Sequence, residues 1–260
     1  MIHVTWLYAV VPADRRSELR RLHELRGVAA EPLRALSGPG LAAVVGSVPR
    51  ADFDERPLHA HLEDPVWLEH AVRAHHRVVE ALARTGPALP LRFATLYHDD
   101  ARAQALLRER HDELAEALRR IDGRTEWGIK AYLAHRPSQE EEETGAEKTA
   151  RPGTAYLLRR KALRQQRGEA VRQASEDAWS IHAQLSGLVA AAALHPPQSA
   201  EASGRTEPMV LNGSYLVDLV DRKRLEDAVA ALADRHPQLR LELTGPWPPY
   251  SFADPEGKAP

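Results

Sequence analysis

Apolar residues run almost without a break from Val4 to Val11, the pattern of a central strand covered on both faces. Leu19, Leu22 and Leu25 then recur at helical spacing, which predicts a helix over Asp14–Arg26 with Gly27 where it would stop. Leu41–Val48 reads as a second buried strand, and the stretch from Pro49 to Glu63 reads as a loop. The clearest amphipathic helix is Asp64–Ala83. Asp64 is a natural N-cap and Pro65 suits the first helical position. Trp67, Ala71, His75, Val78 and Leu82 share one face of it, with Leu68, Val72 and Val79 beside them. Leu89–Tyr97 alternates like a strand, with Pro90 confined to its start or edge. Asp99–Ile121 reads as one helix with Leu106, Leu107, Leu114 and Leu118 inward, and Trp127–Leu133 as a strand.

The pattern then changes. Residues 136–152 hold Pro137, the acidic run Glu140–Glu143, Gly145 and Pro152, and read as a solvated linker or long loop. A long helix is predicted over Ala155–Ala193, with Gly168 as a point of interruption. Its later half spaces Val171, Ala174, Ala178, Ile181, Leu185 and Leu188 by threes and fours, a coiled-coil-like seam. Pro196–Pro208 reads as a loop, Val210–Val220 as a strand and Arg222–Arg235 as a short helix. Leu239, Leu241 and Leu243 alternate with Arg240, Glu242 and Thr244, as in a half-exposed antiparallel strand. This order predicts an α+β protein made of two sandwich parts of the ferredoxin-like kind, with the long helix packed on the second sheet. The expected division is an N-terminal domain over 1–135, the acidic linker, and a C-terminal domain over 153–260.

Composition narrows function by exclusion. The absence of cysteine removes disulfides, zinc–thiolate sites, cysteine-ligated clusters and thiol nucleophiles. A net charge of -2 provides no global field toward nucleic acid or an anionic membrane. No apolar run approaches the ~20 residues that span a bilayer, so no membrane partner is expected. The opening segment lacks the basic region and cleavage site of a signal peptide, and a cytoplasmic location is expected.

Nucleophile elbow, Walker and dinucleotide-binding templates find no match, so neither an enzyme nor a bound cofactor is expected. Of the 13 histidines, His59, His61, His70 and His76 are the group that could converge on a metal, whereas His75 sits on the apolar stripe of its helix as a core residue. The core reading is preferred, and no metal site is assigned. Between Arg151 and Arg172, basic residues dominate and Glu169 is the single acid. Arg160, Arg164 and Arg167 share one helical face. Phosphate binding wants such a stripe, and a nucleic-acid-binding surface over 151–172 is the alternative functional reading. A solvated face is preferred, because only Tyr156 interleaves and the total charge is near neutral. The last unusual segment is Gly245-Pro246-Trp247-Pro248-Pro249-Tyr250-Ser251-Phe252. Its prolines are expected to stop a ladder. Its aromatics either wrap over the protein's own core, which the residues alone favour, or offer anchors to a partner.

That segment, from Leu243 to Phe252, resembles the closing motif of the gas vesicle protein family GvpL/GvpF. Leu7-Tyr8-Ala9-Val10-Val11 is similar to the family's first strand. Ala74–Glu80 followed by Leu89–Thr95 is similar to its central helix and strand, and Glu126–Lys130 and Asn212–Asp218 to further blocks. The ordered set covers nearly the whole chain. It departs at Ala94, where relatives often carry glycine after Arg-Phe. The resemblance implies a two-domain, non-catalytic accessory protein of gas vesicles with ferredoxin-like parts. It further implies binding to the hydrophobic shell subunit GvpA and to other accessory proteins during nucleation or assembly. Trp247, Tyr250 and Phe252 are the candidate partner-binding residues, with Arg160, Arg164 and Arg167 as a second candidate surface. The L-type and F-type roles stay open, as do those of chaperone, nucleator and permanent minor component of the vesicle.

Overall fold

The structure is a computed structural model that describes residues 2–15, 19–134, 154–199 and 204–253. The predicted linker over 136–152 lies outside the described residues. The chain divides into two units, one of Met1–Glu126 with Pro246–Pro260 and the other of Trp127–Gly245. Each holds an antiparallel sheet with helices, so the class is α+β.

The first unit begins with β1 (His3–Pro12), a 3-10 turn (Leu22–Glu24), β2 (Leu33–Ser37) and β3 (Leu41–Pro49). Helices α1 (Arg50–Phe53), α2 (Glu55–Leu62) and α3 (Pro65–Ala83) follow, then the short β4 (Leu89–Pro90) and β5 (Leu96–Tyr97), α4 (Asp100–Glu109) and α5 (His111–Ile121). The sheet runs β2-β3-β1-β4, with β5 also pairing β1. β1 and β3 pair from His3↔Pro49 to Pro12↔Leu41, and the register shifts between Leu7 and Ala9. Tyr8 is the extra residue of that bulge. The shift reverses the facing of every later side chain. Val4, Trp6 and Tyr8 before it, and Ala9 and Val11 after it, therefore join one core with Ala71, Ala74, Val78, Val79 and Leu82 of α3. Leu7 and Val10 alternate to the opposite face and are also fully buried. Burial on both faces is why β1 reads as an unbroken apolar run.

Asp64 caps α3 by accepting from the N–H groups of Val66 and Trp67. Four of the five residues assigned to its inner face are buried, and Trp67 is partly so. Val72 turns outward and is 42% exposed. At the other end, the Arg15 guanidinium donates to the carbonyls of Leu82 and Pro87, each at 2.9 Å, and places a cation at the helix C-terminus. Arg15 thus caps a distant helix. Of the helix expected over Asp14–Arg26, residues 19–20 are helical, with the Leu19 N–H donating to the Arg15 carbonyl at 3.1 Å, and Leu22–Glu24 form a 3-10 turn; residues 16–18 lie outside the described set.

Three expectations are corrected here. Pro49–Glu63 is not a loop but holds α1 and α2, the latter capped by Asp54. The strand expected over Leu89–Tyr97 is two short pieces, because Ala94 between them takes φ +64° and breaks the extended path. The helix over Asp99–Ile121 breaks at Arg110, whose guanidinium pairs with Glu113 at 2.7 Å across the start of α5.

The second sheet is built from β6 (Arg124–Leu133), β7 (Ala191–Leu194), β8 (Met209–Asp218) and β9 (Leu239–Trp247), in the order β7-β8-β6-β9. Helix α6 (Thr154–Ser186) joins β6 to β7, and α7 (Arg222–Arg235), after a 3-10 turn at Leu219–Asp221, joins β8 to β9. In both sheets the first strand lies between the third and the fourth, and the second is at an edge. The seam residues Ala174, Ala178, Ile181 and Leu185 of α6 meet Trp127 and Ile129 of β6, Leu211 and Val217 of β8, and Leu225, Val229 and Leu232 of α7. The predicted helix over Ala155–Ala193 ends at Ser186, and Ala191–Leu194 pairs with Gly213–Leu216 as a strand. Gly168 does not interrupt α6. The 3-10 turn shortens the strand expected over Val210–Val220 at its end. Among the described residues, no helix is long and apolar enough to cross a membrane.

Candidate functional site

The closing segment is the most distinctive surface of the first unit, and its geometry starts at β9. That strand continues through Gly245, Pro246 and Trp247, where a stop was expected. β9 is an edge strand, so the missing N–H of Pro246 breaks no ladder on its open side. Pro248 and Pro249 are buried, and Tyr250–Phe252 form a 3-10 turn.

Two side chains clamp this turn. The Glu126 carboxylate, 7% exposed, accepts from the Ser251 N–H at 2.8 Å and from its hydroxyl at 2.6 Å. The Arg120 guanidinium donates to the Phe252 carbonyl at 2.8 Å. Such charge-assisted bonds to backbone hold an otherwise ladder-free segment in one conformation. The aromatics separate into two kinds. Phe252 is buried, and Tyr250 packs against the core and stacks on His76 at 6.0 Å. Burial, followed by the nearby carboxylates of Glu126 and Glu80, raises the Tyr250 phenol above its ordinary range. Trp247 meets His76 edge-on at 5.7 Å but stays 43% exposed. His76 follows Leu68 and Val72 along α3 at intervals of four, so these residues line one stripe of the helix. Val72, one turn before His76, and Trp247, edge-on against it, are both exposed.

Under this surface lies a polar cluster closed to solvent. The Trp6 indole N–H donates to His75 Nδ1 at 3.1 Å. Nε2 then carries the proton and faces the Leu91 carbonyl at 3.3 Å. Burial pushes His75 down to about 4, offset in part by the bond to the Leu91 carbonyl, with the electrostatic effect of His76 adding to the fall. Its ring stacks on Tyr8 at 5.2 Å. The Tyr8 hydroxyl donates to Glu31 Oε1 and accepts from the Val28 N–H, while Glu31 Oε2 accepts from the Ala29 N–H. Burial and the Glu31 charge raise the Tyr8 phenol above its ordinary range. Every polar atom named here is engaged, so the cluster has the chemistry of a structural joint and no free base or nucleophile. The reading of His75 as a hydrogen-bonded core residue agrees with this placement. Sequence reasoning passed over Glu31. A carboxylate held by a residue 23 positions away leaves no local pattern.

The other histidines point to separate partners. His59 pairs with Glu63 at 3.5 Å, His61 stacks on Trp67 at 4.8 Å, and His70 is exposed on α3. Among the described residues, no group of three or more His, Asp or Glu could hold a metal ion. Arg160 and Arg164 are exposed on α6, and the side chain of Arg167 lies outside those described.

A family model described as "Gas vesicle synthesis protein GvpL/GvpF" matches residues 4–254. Gas vesicle protein L of Streptomyces sp. (strain CB03234) is 42% identical over 228 residues, covering 87% of this chain and 85% of that protein. Gas vesicle protein F of the same strain is 29% identical over 266 residues, covering 96% and 99%. The crystal structure of GvpF from Microcystis aeruginosa superposes with a TM-score of 0.63 at 17% identity, over 98% of this chain and all of that one. GvpF from Anabaena sp. PCC7120 gives 0.62 at 15%, over 97% and 96%. At these identities, the two structures establish the fold alone.

Proposed function

Because this chain belongs to the GvpL/GvpF family of gas vesicle synthesis proteins, and so to a family of gas vesicle accessory proteins that are not enzymes, we propose that it covers the hydrophobic shell subunit GvpA during vesicle assembly. A subunit with large apolar faces aggregates unless those faces are covered before they pack together. The observation that carries the reading is the exposed Trp247. It is a large aromatic held at the surface by a turn whose neighbours are locked down by Glu126 and Arg120. A rigid, half-exposed tryptophan is the kind of anchor that dominates binding energy. Tyr250 and Phe252 act from below as its support.

The protein works in the cytoplasm on the growing vesicle, with other accessory proteins as further partners. The 42% identity to a protein L, against 29% to the protein F of the same strain, supports an L-type role. The order strand, helix, strand, strand, helix, strand in the second unit, with its first strand inside, supports a ferredoxin-like assignment there.

The test is co-expression with GvpA, followed by pull-down and measurement of the soluble GvpA fraction. The unaltered chain should retain GvpA and raise its solubility. Trp247→Ala should release it while keeping the same unfolding transition. If the unaltered chain neither retains GvpA nor changes its solubility, the reading fails.

A further inference from the structure

The N-terminal half of α6 presents a row of exposed cations. Every described side chain from Arg160 to Ala170 is exposed, and burial begins only at Val171 and Ala174. From Thr154 to Ala170 this arm is about 25 Å long, at 1.5 Å per residue. An exposed helical segment gains stability from charge pairs along it or from a partner. Arg160, Lys161 and Arg164 are exposed, and none of them forms an ion pair with another described residue. The next cation along, Arg172, does have a carboxylate on its helix, Glu176, at 4.0 Å.

We infer that this arm is a docking surface for an acidic helical segment of a partner protein, which lies along it and pairs with Arg160, Lys161 and Arg164. This inference is independent of the shell-subunit reading above, which uses a different unit of the chain. Charge complementarity selects an anionic occupant, and spacing selects a helical one. Arg160 and Arg164 are one turn apart, about 6 Å along the axis, which is the repeat of carboxylates at i and i+4 on a facing helix. Duplex DNA carries a charge every ~1.7 Å and gains affinity from many cations at once. The arm provides a short row, and the chain as a whole carries a net charge of -2. No described exposed aromatic on the arm offers a base a stacking face.

The experiment uses the full chain and two labelled probes followed by fluorescence anisotropy. One is a helical peptide of Ala-Glu-Glu-Ala-Leu repeats, the other a DNA duplex of equal net charge. The chain should bind the peptide at least about tenfold more tightly than the duplex, and binding should weaken as salt rises. The triple variant Arg160→Glu, Lys161→Glu, Arg164→Glu should lose peptide binding by tenfold or more with an unchanged unfolding transition. Amide exchange across 154–170 should slow when the peptide binds. Equal binding by the variant overturns the inference, as does tighter binding of the duplex, which would make the arm a nucleic-acid surface.

Discussion

The Trp6 indole donates to His75 Nδ1 at 3.1 Å, and this one bond decides which ring nitrogen of a fully enclosed histidine holds the proton. With Nδ1 used as an acceptor, a second proton on His75 has to displace the indole. The imidazolium would also have to sit among Trp6, Tyr8 and Phe93, whose rings surround it.

Acid should therefore destabilise the first unit through His75. Its folded value of about 4 lies below the 6.5 of the free side chain, so the unfolded chain binds the extra proton first. The stabilisation is complete above pH 6.5 and is lost progressively as pH falls toward 4, by about 3 kcal/mol. Urea unfolding at a series of pH values should show this slope. His75→Gln, which keeps an acceptor and a donor but cannot titrate, should flatten it.

Glu31 should tolerate no crowding. A methyl group on Gly46 would stand 2.2 Å from Glu31 Oε1, and one on Gly27 would stand 1.9 Å from it. Either would push the carboxylate off the Tyr8 hydroxyl and leave a buried donor and a buried charge without partners. Gly46→Ala should lower unfolding free energy by about 2–4 kcal/mol in urea titrations.

Ala94 holds φ +64°, a region that favours glycine. Ala94→Gly should stabilise the protein by up to about 1 kcal/mol and raise the melting temperature by a few degrees. Ala94→Val, with its branched Cβ, should lower it. The departure from the family motif noted at this position is thus a strained one.

The closing aromatics should separate in a stability assay. Phe252→Ala removes a buried ring and should lower stability by about 3–5 kcal/mol. Trp247→Ala, at a half-exposed ring, should lower it by less than about 1 kcal/mol. Comparison of the two urea midpoints checks this directly.

Elements that bury a continuous or periodic apolar face were legible in the sequence. β1, β3, α3 and α7 fall where the pattern puts them, because hydrophobic spacing is the force that places them. Elements held mainly by other interactions were not. α2 has no buried residue, so no periodicity marks it. β7 is Ala-Ala-Ala-Leu, a run whose helical propensity is overridden by pairing with β8. The break at Arg110 keeps leucines on both sides at helical spacing, so the pattern runs straight across it. The tail was legible as unusual, but the distinction between anchored Phe252 and exposed Trp247 depends on Glu126 and Arg120, more than a hundred residues away.

That separation also sets a schedule. Glu126 is made 125 residues before Ser251, the residue whose N–H and hydroxyl it accepts. At ~5–20 residues per second, translation leaves this carboxylate without its partner for about 6–25 s. Throughout that interval the core beside His76 lacks the cover that Tyr250 later supplies. A nascent chain must carry this open face through synthesis of the whole second unit before the first can close.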